Sequence, residues 1–285
     1  MPSNDIIATI KARRSVRTYT DKPLCEEDRT ALLLMMEAAG NPFGEKVRLH
    51  IIDKEIDAKG EKLGTYGIVR GAHTFLGVSA PQTPLSALAM GYQFESLILG
   101  ATAIGLGTVW LGGSFKRPQF ARAMGVQEGE WLAAVSPVGY EAARKGSAEK
   151  IMRRVIKSDE RELWRDIFTE DGFQVQLTED GAGDYAVPLE MLRWAPSAAN
   201  GQPWRVVKKD NVFYFYETHK ASLSDTEKRM KQMDLGIAIA HFHLTAMQLG
   251  LKGRFEVRPL KDVHIPEDTF YHMSWVCESR EEVDV

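Results

Sequence analysis

Cysteine is scarce in this sequence, and neither sign of charge is in large excess. Cys25 and Cys277 are the two thiols in 285 residues, too few for a disulfide framework or for a four-ligand zinc site. Lysine and arginine total 36 against 39 aspartate and glutamate, which gives a net charge of −3. Because a phosphate backbone is bound by a surplus of cations, this balance argues against nucleic acid as the partner. A local cluster of arginines can still hold one small anion.

Signals for export or for a membrane are also lacking. The N-terminal residues contain no continuous apolar stretch followed by a small-residue cleavage site, and we expect a cytoplasmic protein. The most apolar run, residues 85–113, carries one charge, Glu95, and is long enough to cross a bilayer. Tyr92, Gln93 and Ser96 lie in its middle, where hydrocarbon penalises polar groups. A helix buried within the protein explains this run better than a membrane span, and we expect no membrane partner.

The composition is that of a folded chain, with 44% hydrophobic and 26% charged residues in just under two domains' length. Helices are predicted at residues 4–12, 26–39, 85–106, 117–125, 147–168, 187–194 and 226–250. Strands are predicted at residues 47–52, 75–80, 131–140, 204–209, 212–217, 253–257 and 270–277. Asp210 and Asn211 predict a hairpin turn, and the Gly- and Asp-rich residues 178–188 predict a loop that ends in proline at a helix start.

An internal repeat organises the chain. Residues 91–110 align without gaps on residues 236–255, so that Gly105 meets Gly250. The segments that precede these two also align, at residues 35–52 and 191–208. Each unit reads as helix, loop, strand, long buried helix, glycine turn and strand, which predicts a pseudo-two-fold arrangement with long central helices. Chance similarity between two amphipathic helices is the alternative.

The repeat divides the chain into three regions. Residues 1–145 form the first half, residues 146–186 a charge-rich connecting arm, and residues 187–285 a second, shorter half. Because the surface between two such copies is a dimer interface in many symmetric proteins, we expect a monomer that acts as its own pseudo-dimer.

The first of three clusters that carry chemistry contains Arg13, Arg14, Ser15 and Arg17, with Tyr19 beyond it. Three guanidiniums and a hydroxyl within five residues can embrace a phosphate, because arginine binds it bidentately and keeps its charge. A solvated run of charges on an exposed face is the alternative.

Two further clusters are rich in small residues. In residues 195–204, APSAANGQPW, small side chains allow close approach to a flat ligand, and Ser197, Asn200 and Gln202 offer donors and acceptors to a heterocycle. An ordinary turn is the alternative. In residues 105–115, GLGTVWLGGSF, glycines either cap the preceding helix or expose backbone N–H groups. This spacing is not GxGxxG and follows a helix, so it does not support a Rossmann site.

Taken together, RRSVRTY, GLGTVWLGG and APSAANGQPW resemble the nitroreductase family of FMN-dependent oxidoreductases. The resemblance covers nearly the whole sequence and is strongest to the sub-group in which two nitroreductase-like halves are fused in one chain. It implies an α+β, nitroreductase-like fold of two tandem α/β halves. The region matched least well is residues 141–186.

The resemblance also implies a set of FMN-binding residues. The arginine-rich motif implies phosphate and pyrimidine-side contacts from Arg13, Arg14, Ser15 and Arg17. The loop motif implies ring contacts from Pro196, Ser197, Ala198, Asn200 and Gln202. The turn after the long helix implies contacts near flavin N5 from Leu111, Gly112 and Gly113. The ribityl region is implied at Thr65, Tyr66 and Gly67, and a further phosphate contact at Arg153 or Arg154.

The two halves depart from the family pattern in complementary ways. In the first half, Gly44 and Lys46 stand where Asn200 and Gln202 stand in the second. In the second half, the acidic residues 178–188 stand where an arginine-rich motif is expected. We therefore expect one FMN per chain, held by the arginines of the first half and the loop of the second.

The implied function is hydride transfer from NADH or NADPH to a nitroaromatic, quinone or similar small-molecule acceptor, by a ping-pong mechanism. The flavin carries the chemistry, so no catalytic side chain is expected. The alternatives are a non-catalytic FMN-binding protein for storage or sensing, and a cofactor-free relic. No metal site is expected, because His241 and His243 point to different faces of one helix. Trp110 and Trp204 either flank the ring or pack in the core.

Overall fold

The computed structural model describes residues 5–53, 64–143 and 160–278. The chain divides into two units, Met1–Asp159 and Glu160–Val285. In the described part, each unit combines helices with one sheet. This mixed content confirms the expected α+β class.

The first unit is built around a four-stranded antiparallel sheet. Its helices are α1 (Ile6–Ala12), α2 (Glu26–Ala38), α3 (Ser86–Ala103) and α4 (Arg117–Ala123). Its strands are β1 (Arg48–Asp53), β2 (Thr74–Pro81), β3 (Gly107–Thr108) and β4 (Glu130–Gly139). The strands lie in the order β1-β2-β4-β3, and each neighbouring pair is antiparallel. Helix α3 packs against β2, α1 and α2.

Helix α3 is the buried helix that the apolar run predicts. Its residues from Ser86 to Glu95 are all buried. Polar side chains on it bond to nearby carbonyls: Ser96 Oγ donates to Tyr92 O at 2.9 Å, and Gln93 Nε2 donates to Ala39 O at 3.2 Å. Within residues 5–53, 64–143 and 160–278, no helix combines the length and the apolarity needed to cross a bilayer.

The second unit contains a six-stranded sheet and one long helix. Its helices are α5 (Trp164–Ile167), α6 (Glu179–Ala182), α7 (Ala186–Arg193) and α8 (Asp225–Gln248). Its strands are β5 (Phe168–Glu170), β6 (Val175–Gln176), β7 (Trp204–Lys209), β8 (Val212–Thr218), β9 (Gly253–Glu256) and β10 (Thr269–Cys277). The strand order is β6-β5-β7-β8-β10-β9.

Helix α8 begins at a capping box. The Ser224 hydroxyl accepts a hydrogen bond from Glu227 N, and the Glu227 carboxylate accepts one from Ser224 N at 2.9 Å. The side chains from Gln232 to Phe242 are all buried, and the helix packs against α7 and β8. The cap fixes where the helix starts, and burial of its middle stabilises the rest.

The ends of α3 and α8 share one geometry. Gly105 and Gly250, which the internal repeat aligns, have φ values of 85° and 71°. After the first, Leu106 N donates to Ala101 O at 2.9 Å; after the second, Leu251 N donates to Ala246 O, also at 2.9 Å. This is the glycine-terminated helix end that satisfies the last carbonyls. The aligned glycines therefore end the long helix in the same way in each unit.

The helix predicted at residues 147–168 is much shorter in its described part. Residues 147–159 lie outside the described ranges, the helix α5 spans Trp164–Ile167, and Phe168 begins β5. Strand β5 pairs in parallel with β7, and Ile167 and Phe168 are buried, so strand pairing in the core overrides the local helical preference. Residues 160–186, expected in the connecting arm, belong to the second unit.

The loop predicted at residues 178–188 is helical instead. Thr178 Oγ1 accepts from Gly181 N at 2.9 Å and caps α6, and a 3₁₀ turn at Gly183–Tyr185 leads into α7. Pro188 lies in the first turn of α7, where its missing N–H breaks no helical hydrogen bond. A threonine cap thus outweighs a composition that is typical of loops.

The hairpin predicted at Asp210-Asn211 is confirmed. Lys209 pairs with Val212 across the turn between β7 and β8, and Asp210 has a left-handed backbone with φ 52°. The sequence does not predict strands β3 and β6, because a strand of two residues is too short to show an alternation of apolar and polar side chains.

Gly71 offers a test of how closely two segments of the first unit approach each other. It has φ 77°, and a Cβ added there would lie 2.3 Å from Tyr19 O, whereas nothing lies within 4 Å of a Cβ on Gly105. Gly105→Ala should lower the free energy of unfolding by about 1–2 kcal/mol, the cost of the left-handed backbone. Gly71→Ala should lower the free energy of unfolding by about 1–3 kcal/mol more than Gly105→Ala, because its Cβ would also clash with Tyr19 O. Urea denaturation measures both, and equal losses would contradict this packing.

Candidate functional site

The arginine segment (residues 13–17) and the glycine turn of the first unit (residues 105–115) lie side by side. Ser15 forms a parallel bridge with Thr108, and Val16 N donates to Thr108 O at 2.8 Å. A Cβ on Gly107 would lie 2.9 Å from the Val16 side chain, so this approach requires glycine. Two motifs that are far apart in the sequence are thereby brought together.

The second edge of the arginine segment is also hydrogen-bonded. Arg70 N donates to Arg17 O at 2.9 Å, and Tyr19 N donates to Arg70 O at 2.9 Å. The Tyr19 hydroxyl donates to Val16 O at 2.7 Å. The backbone of the segment is therefore held on both edges, which fixes the positions from which its side chains project.

A buried carboxyl connects the arginine segment to the glycine turn. Glu95, in the middle of α3, is 0% exposed. Its Oε1 lies 3.9 Å from Arg13 Nε, and its Oε2 accepts a hydrogen bond from Trp110 Nε1 at 2.6 Å. The Trp110 ring packs edge-on against Phe94 with centroids 4.8 Å apart. An acid at a fully buried position needs such partners, because burial of an unpaired charge is very costly.

The arginines of the segment differ in their surroundings. Arg14 is exposed, and its guanidinium pairs with Glu141. Arg17 is 8% exposed, and Ser15 is half-buried. A cation in such partly desolvated surroundings attracts an anion more strongly than it does in water. Arg17 is therefore better suited than Arg14 to hold an anionic group firmly.

The turn after α3 is rigid on its inner side and open on its outer side. Leu111 exchanges backbone hydrogen bonds with Val135 of β4 at 2.9 and 3.0 Å. The Arg117 guanidinium donates to Gly112 O at 2.6 Å. Gly113 is exposed, and nothing lies within 4 Å of a Cβ added to it. A ligand can therefore approach the backbone of this turn closely.

The predicted ribityl-contacting residues form a turn of unusual backbone geometry. Tyr66 and Gly67 have φ values of 48° and 74°, and Tyr66 is exposed while Thr65 is buried. A bulky residue with a left-handed backbone is uncommon, and such residues cluster at ligand sites. Arg153 and Arg154, predicted at the phosphate, lie outside the described residues.

The loop at residues 196–202 of the second unit is strained. Ala199, Asn200 and Gln202 have φ values of 51°, 56° and 42°. Each non-glycine residue in this region costs about 1–2 kcal/mol, and asparagine tolerates it best. Such a conformation persists only where the surrounding structure holds it. The 196–202 loop is therefore held in one shape by its neighbours.

The amide side chains of this loop are bonded within the second unit. Gln202 Oε1 accepts from Glu162 N at 3.0 Å, and Asn200 Nδ2 donates to Glu160 O at 3.0 Å. Ser197 Oγ accepts from Gln202 N at 2.9 Å. These polar side chains shape the loop. Its exposed surface is formed by Ala198, Ala199 and Gly201.

Two buried carboxyls lie next to the 196–202 loop. Asp234 on α8 is 4% exposed and accepts from Ala198 N at 3.0 Å, and Glu217 on β8 is 1% exposed. Burial raises the pKa of Asp234 to about 7, opposed by the bond from Ala198 and by Lys231, and reinforced by Glu217. Burial raises the pKa of Glu217 to about 8, again opposed by Lys231. Both carboxyls therefore titrate near neutral pH.

Two histidines adjoin these carboxyls. Glu217 Oε1 is hydrogen-bonded to His219 Nδ1, and burial lowers the pKa of His219. His272 stands at a bulge in β10 and accepts on Nδ1 from Gln232 Nε2 at 3.3 Å; burial lowers the pKa of His272 to about 4. Bulges re-aim side chains in this way. The acid–histidine cluster comprises Glu217, His219, Gln232, Asp234 and His272.

Other residues singled out in the sequence serve the core. Trp204 is fully buried in β7, whereas Trp110 is half-buried and bonded to Glu95. His241 Nδ1 donates to Met191 O at 3.0 Å. In the described parts of the chain, no three His, Cys, Asp or Glu side chains are grouped so that they could hold a metal ion.

Three supporting residues lie outside the sequence motifs, although each carries a sequence signal. Glu95 is the single charge in a long apolar run, which indicates a buried acid with partners. Asp234 directly precedes the apolar residues 235–240, and Glu217 follows the aromatic run of β8. A lone acid beside a buried run is the signal that could have found all three.

A family model described as "Putative TM nitroreductase" matches residues 5–246. Among solved structures, a nitroreductase from Thermotoga maritima MSB8 is 18% identical, with a TM-score of 0.61. That match covers 95% of this chain and 93% of that chain, and at this identity it shows the fold alone. No curated protein matches the sequence.

Two further solved nitroreductases match about half of the chain. One with bound FMN from Bacteroides fragilis NCTC 9343 is 23% identical, and the match covers 50% of this chain and 92% of that chain with a TM-score of 0.41. One with bound FMN from Desulfitobacterium hafniense DCB-2 is 15% identical, and the match covers 51% of this chain and 93% of that chain with a TM-score of 0.40. Matches with TM-scores this low give no information about individual residues.

Replacement of Glu95 tests the buried link between the arginine segment and the glycine turn. Glu95→Gln keeps an acceptor for Trp110 Nε1 but removes the charge opposite Arg13, and we expect the free energy of unfolding to fall by about 3 kcal/mol. The control Arg14→Gln breaks the exposed pair with Glu141 and should cost less than about 1 kcal/mol. Urea denaturation followed by tryptophan fluorescence measures both. A loss for Glu95→Gln no larger than for Arg14→Gln would refute the link.

The pH dependence of stability tests the protonation of Glu217. The pKa of Glu217 is raised from about 4.5 to about 8 on folding, so the stability that its proton contributes is complete below about pH 4.5 and is lost as the pH rises toward 8. Glu217→Gln cannot ionise and should remove up to about 1.4 kcal/mol per pH unit from this slope.

The measurement for Glu217 is the free energy of unfolding between about pH 5 and pH 8. Glu267→Gln replaces an exposed carboxyl in the same unit and should leave the slope as it is in the wild type. A wild-type slope in Glu217→Gln would mean that Glu217 is already ionised in the folded protein.

Proposed function

The chain belongs to the TM nitroreductase family, and from that membership we propose that it is an FMN-dependent oxidoreductase. In the proposed reaction, a hydride passes from NADH or NADPH to a nitroaromatic, quinone or similar small-molecule acceptor, with ping-pong kinetics. FMN, when bound, supplies the redox chemistry, and the chain supplies binding, orientation and charge. The acting species in this proposal is one chain, whose two halves take the roles of two subunits.

The observation that carries the proposal is the bridge between the arginine segment and the glycine turn. Arg13, Ser15 and Arg17 provide guanidiniums and a hydroxyl, the donor set that recognises a phosphate. Their backbone runs beside Thr108, which leads directly into the open turn. The chemistry of these residues fits the phosphate of FMN, and Arg14 adds positive charge near it.

The turns of the first unit fit the remainder of the cofactor. The proposed contacts to the flavin ring come from Leu111, Gly112 and Gly113, whose outer side is open. The proposed ribityl contacts come from Tyr66 and Gly67, in the turn with left-handed backbone angles. Open backbone suits close approach of a flat ring, because no side chain intervenes.

The second unit contributes the 196–202 loop to the proposed site. Pro196, Ser197 and Ala198 supply small groups for the ring to lie against, and Asn200 and Gln202 hold the loop in shape through their bonds to residues 160–162. Only the first half carries the arginine-rich motif, and only the second carries these two amides. One FMN per chain follows from this division.

Arg17 has an electrostatic role in the proposed reaction. Its guanidinium is nearly buried and keeps its charge at any physiological pH. In the proposed site it stabilises negative charge that develops on the pyrimidine side of the ring during reduction. A preorganised charge of this kind in a water-poor site contributes about 3 kcal/mol.

A visible absorbance scan of the purified protein, with released FMN quantified per chain, tests the proposal. We expect about one FMN per chain, loss of the flavin absorbance when NADH or NADPH is added without oxygen, and its return on addition of a quinone. Failure to take up FMN would overturn the proposal. Bound FMN that neither nucleotide bleaches would favour the storage or sensing alternative, and two FMN per chain would refute the single site.

Matched arginine variants test the contact of Arg17 with FMN within the same experiment. Arg17→Ala should weaken FMN binding about tenfold or more, because a charge-assisted hydrogen bond contributes about 1.5–3 kcal/mol. Arg29→Ala removes the exposed pair with Asp53 in the same unit and should change the Kd for FMN by less than about twofold. A wild-type Kd for Arg17→Ala would mean that Arg17 contacts neither the phosphate nor the ring of FMN.

A further inference from the structure

The 196–202 loop is joined to helix α8 by one buried hydrogen bond. Ala198 N donates to Asp234 Oδ1 at 3.0 Å, and Asp234 is almost fully buried. The second carboxyl oxygen, Asp234 Oδ2, has no hydrogen-bond partner among the described residues. Because Ala198 itself is exposed, this bond fixes a backbone position that a ligand can reach from outside.

This bond acts on the strained part of the loop. Ala198 directly precedes Ala199 and Asn200, both of which have left-handed backbones. The bonds that Ser197 Oγ and Glu162 N make to Gln202 hold the far end of the loop. Strained residues return to ordinary backbone angles when their neighbours release them. The bond from Ser197 joins the two ends of the loop to each other, whereas the bond to Asp234 ties the near end to α8.

We propose that Asp234 is a positioning residue that holds the 196–202 loop in the conformation that binds the cofactor. Asp234 acts through the backbone of Ala198 and needs no contact with the ligand. The identity of the cofactor as FMN rests on the proposed function. The link between Asp234 and the loop rests on the geometry of the second unit alone.

Charged and titratable groups face Asp234 from two elements. Lys231 lies one turn earlier on α8, with its Nζ 3.0 Å from the position of a Cβ on Gly201. Glu217 faces it from β8, with His219 and His272 of the acid–histidine cluster behind. Burial raises the pKa of Asp234 to about 7, so a closed loop binds this proton more tightly than an open loop with a hydrated carboxyl. Rising pH between about 4, the ordinary value for an aspartate, and about 7 therefore favours opening of the loop, with no further effect above that range.

Two variants of Asp234 and one control separate the hydrogen bond to Ala198 from the ionisation of the carboxyl. Asp234→Asn keeps an acceptor for Ala198 N and cannot ionise, whereas Asp234→Ala removes the acceptor. Asp225→Asn replaces an exposed acid on the same helix. The first readout is hydrogen exchange of the Ala198 amide in full-length protein without added FMN, corrected for the intrinsic rate at each pH. The second is the Kd for FMN at one pH, from quenching of flavin fluorescence.

We expect Asp234→Ala to accelerate exchange of the Ala198 amide and to raise the Kd for FMN, each by about tenfold or more. At about pH 6, Asp234→Asn should protect the Ala198 amide at least as well as the wild type does and should bind FMN at least as tightly. Wild-type protection of the Ala198 amide should fall as the pH rises from about 4 to about 7 and level off above that, and in Asp234→Asn this dependence should disappear. Asp225→Asn should match the wild type throughout.

Wild-type exchange and a wild-type Kd in Asp234→Ala would overturn the proposal. If Asp234→Ala fails to fold, Asp234→Asn provides the test. An exchange rate of the Ala198 amide that depends on pH in Asp234→Asn as it does in the wild type would also overturn the proposal. A wild type that takes up no FMN would remove the proposed function, while the exchange data would still show whether Asp234 holds the loop.

Discussion

The arrangement of the first unit depends on one constraint: Glu95 must be paired inside the apolar helix α3. A carboxyl buried there without partners would cost far more than the helix gains from packing. The two partners, Arg13 and Trp110, belong to the arginine segment and to the glycine turn. Pairing of a single acid therefore fixes three elements relative to one another. Apolar packing, which is non-directional, would leave the rotation and the register of these elements less well determined.

The two units share a framework and differ in their polar chemistry. The framework consists of a long buried helix that ends at a left-handed glycine, Gly105 in one unit and Gly250 in the other, with matching hydrogen bonds. On this framework the first unit places cations and open turns. The second places a strained loop next to two carboxyls, Glu217 and Asp234, that are neutral up to about pH 7. The polar residues that the shared framework carries therefore differ between the two units.

Much of the fold could be predicted from the sequence, because its signals are local. The apolar run of α3 and the turn at Asp210 depend on neighbouring residues, and both predictions are confirmed. Strand β5 could not be found in this way, because its parallel pairing with β7 is non-local. The motifs gave candidate ligand-contacting residues, but not the acids that support them. A lone acid beside an apolar run marks such a residue among the 39 acidic ones, but the partners that it bonds to depend on tertiary contacts.

The bonded amides of the 196–202 loop change how its motif is interpreted. An asparagine and a glutamine in a loop of small residues suggest direct contact with a heterocycle, yet here Asn200 bonds to Glu160 and Gln202 to Glu162. Asparagine also tolerates the left-handed backbone better than most residues, which gives its position a conformational reason. These residues are therefore explained by the shape of the loop before any ligand is considered. A motif of polar and small residues can thus specify a backbone conformation, and the exposed surface of this loop is then formed by the small residues between the polar ones.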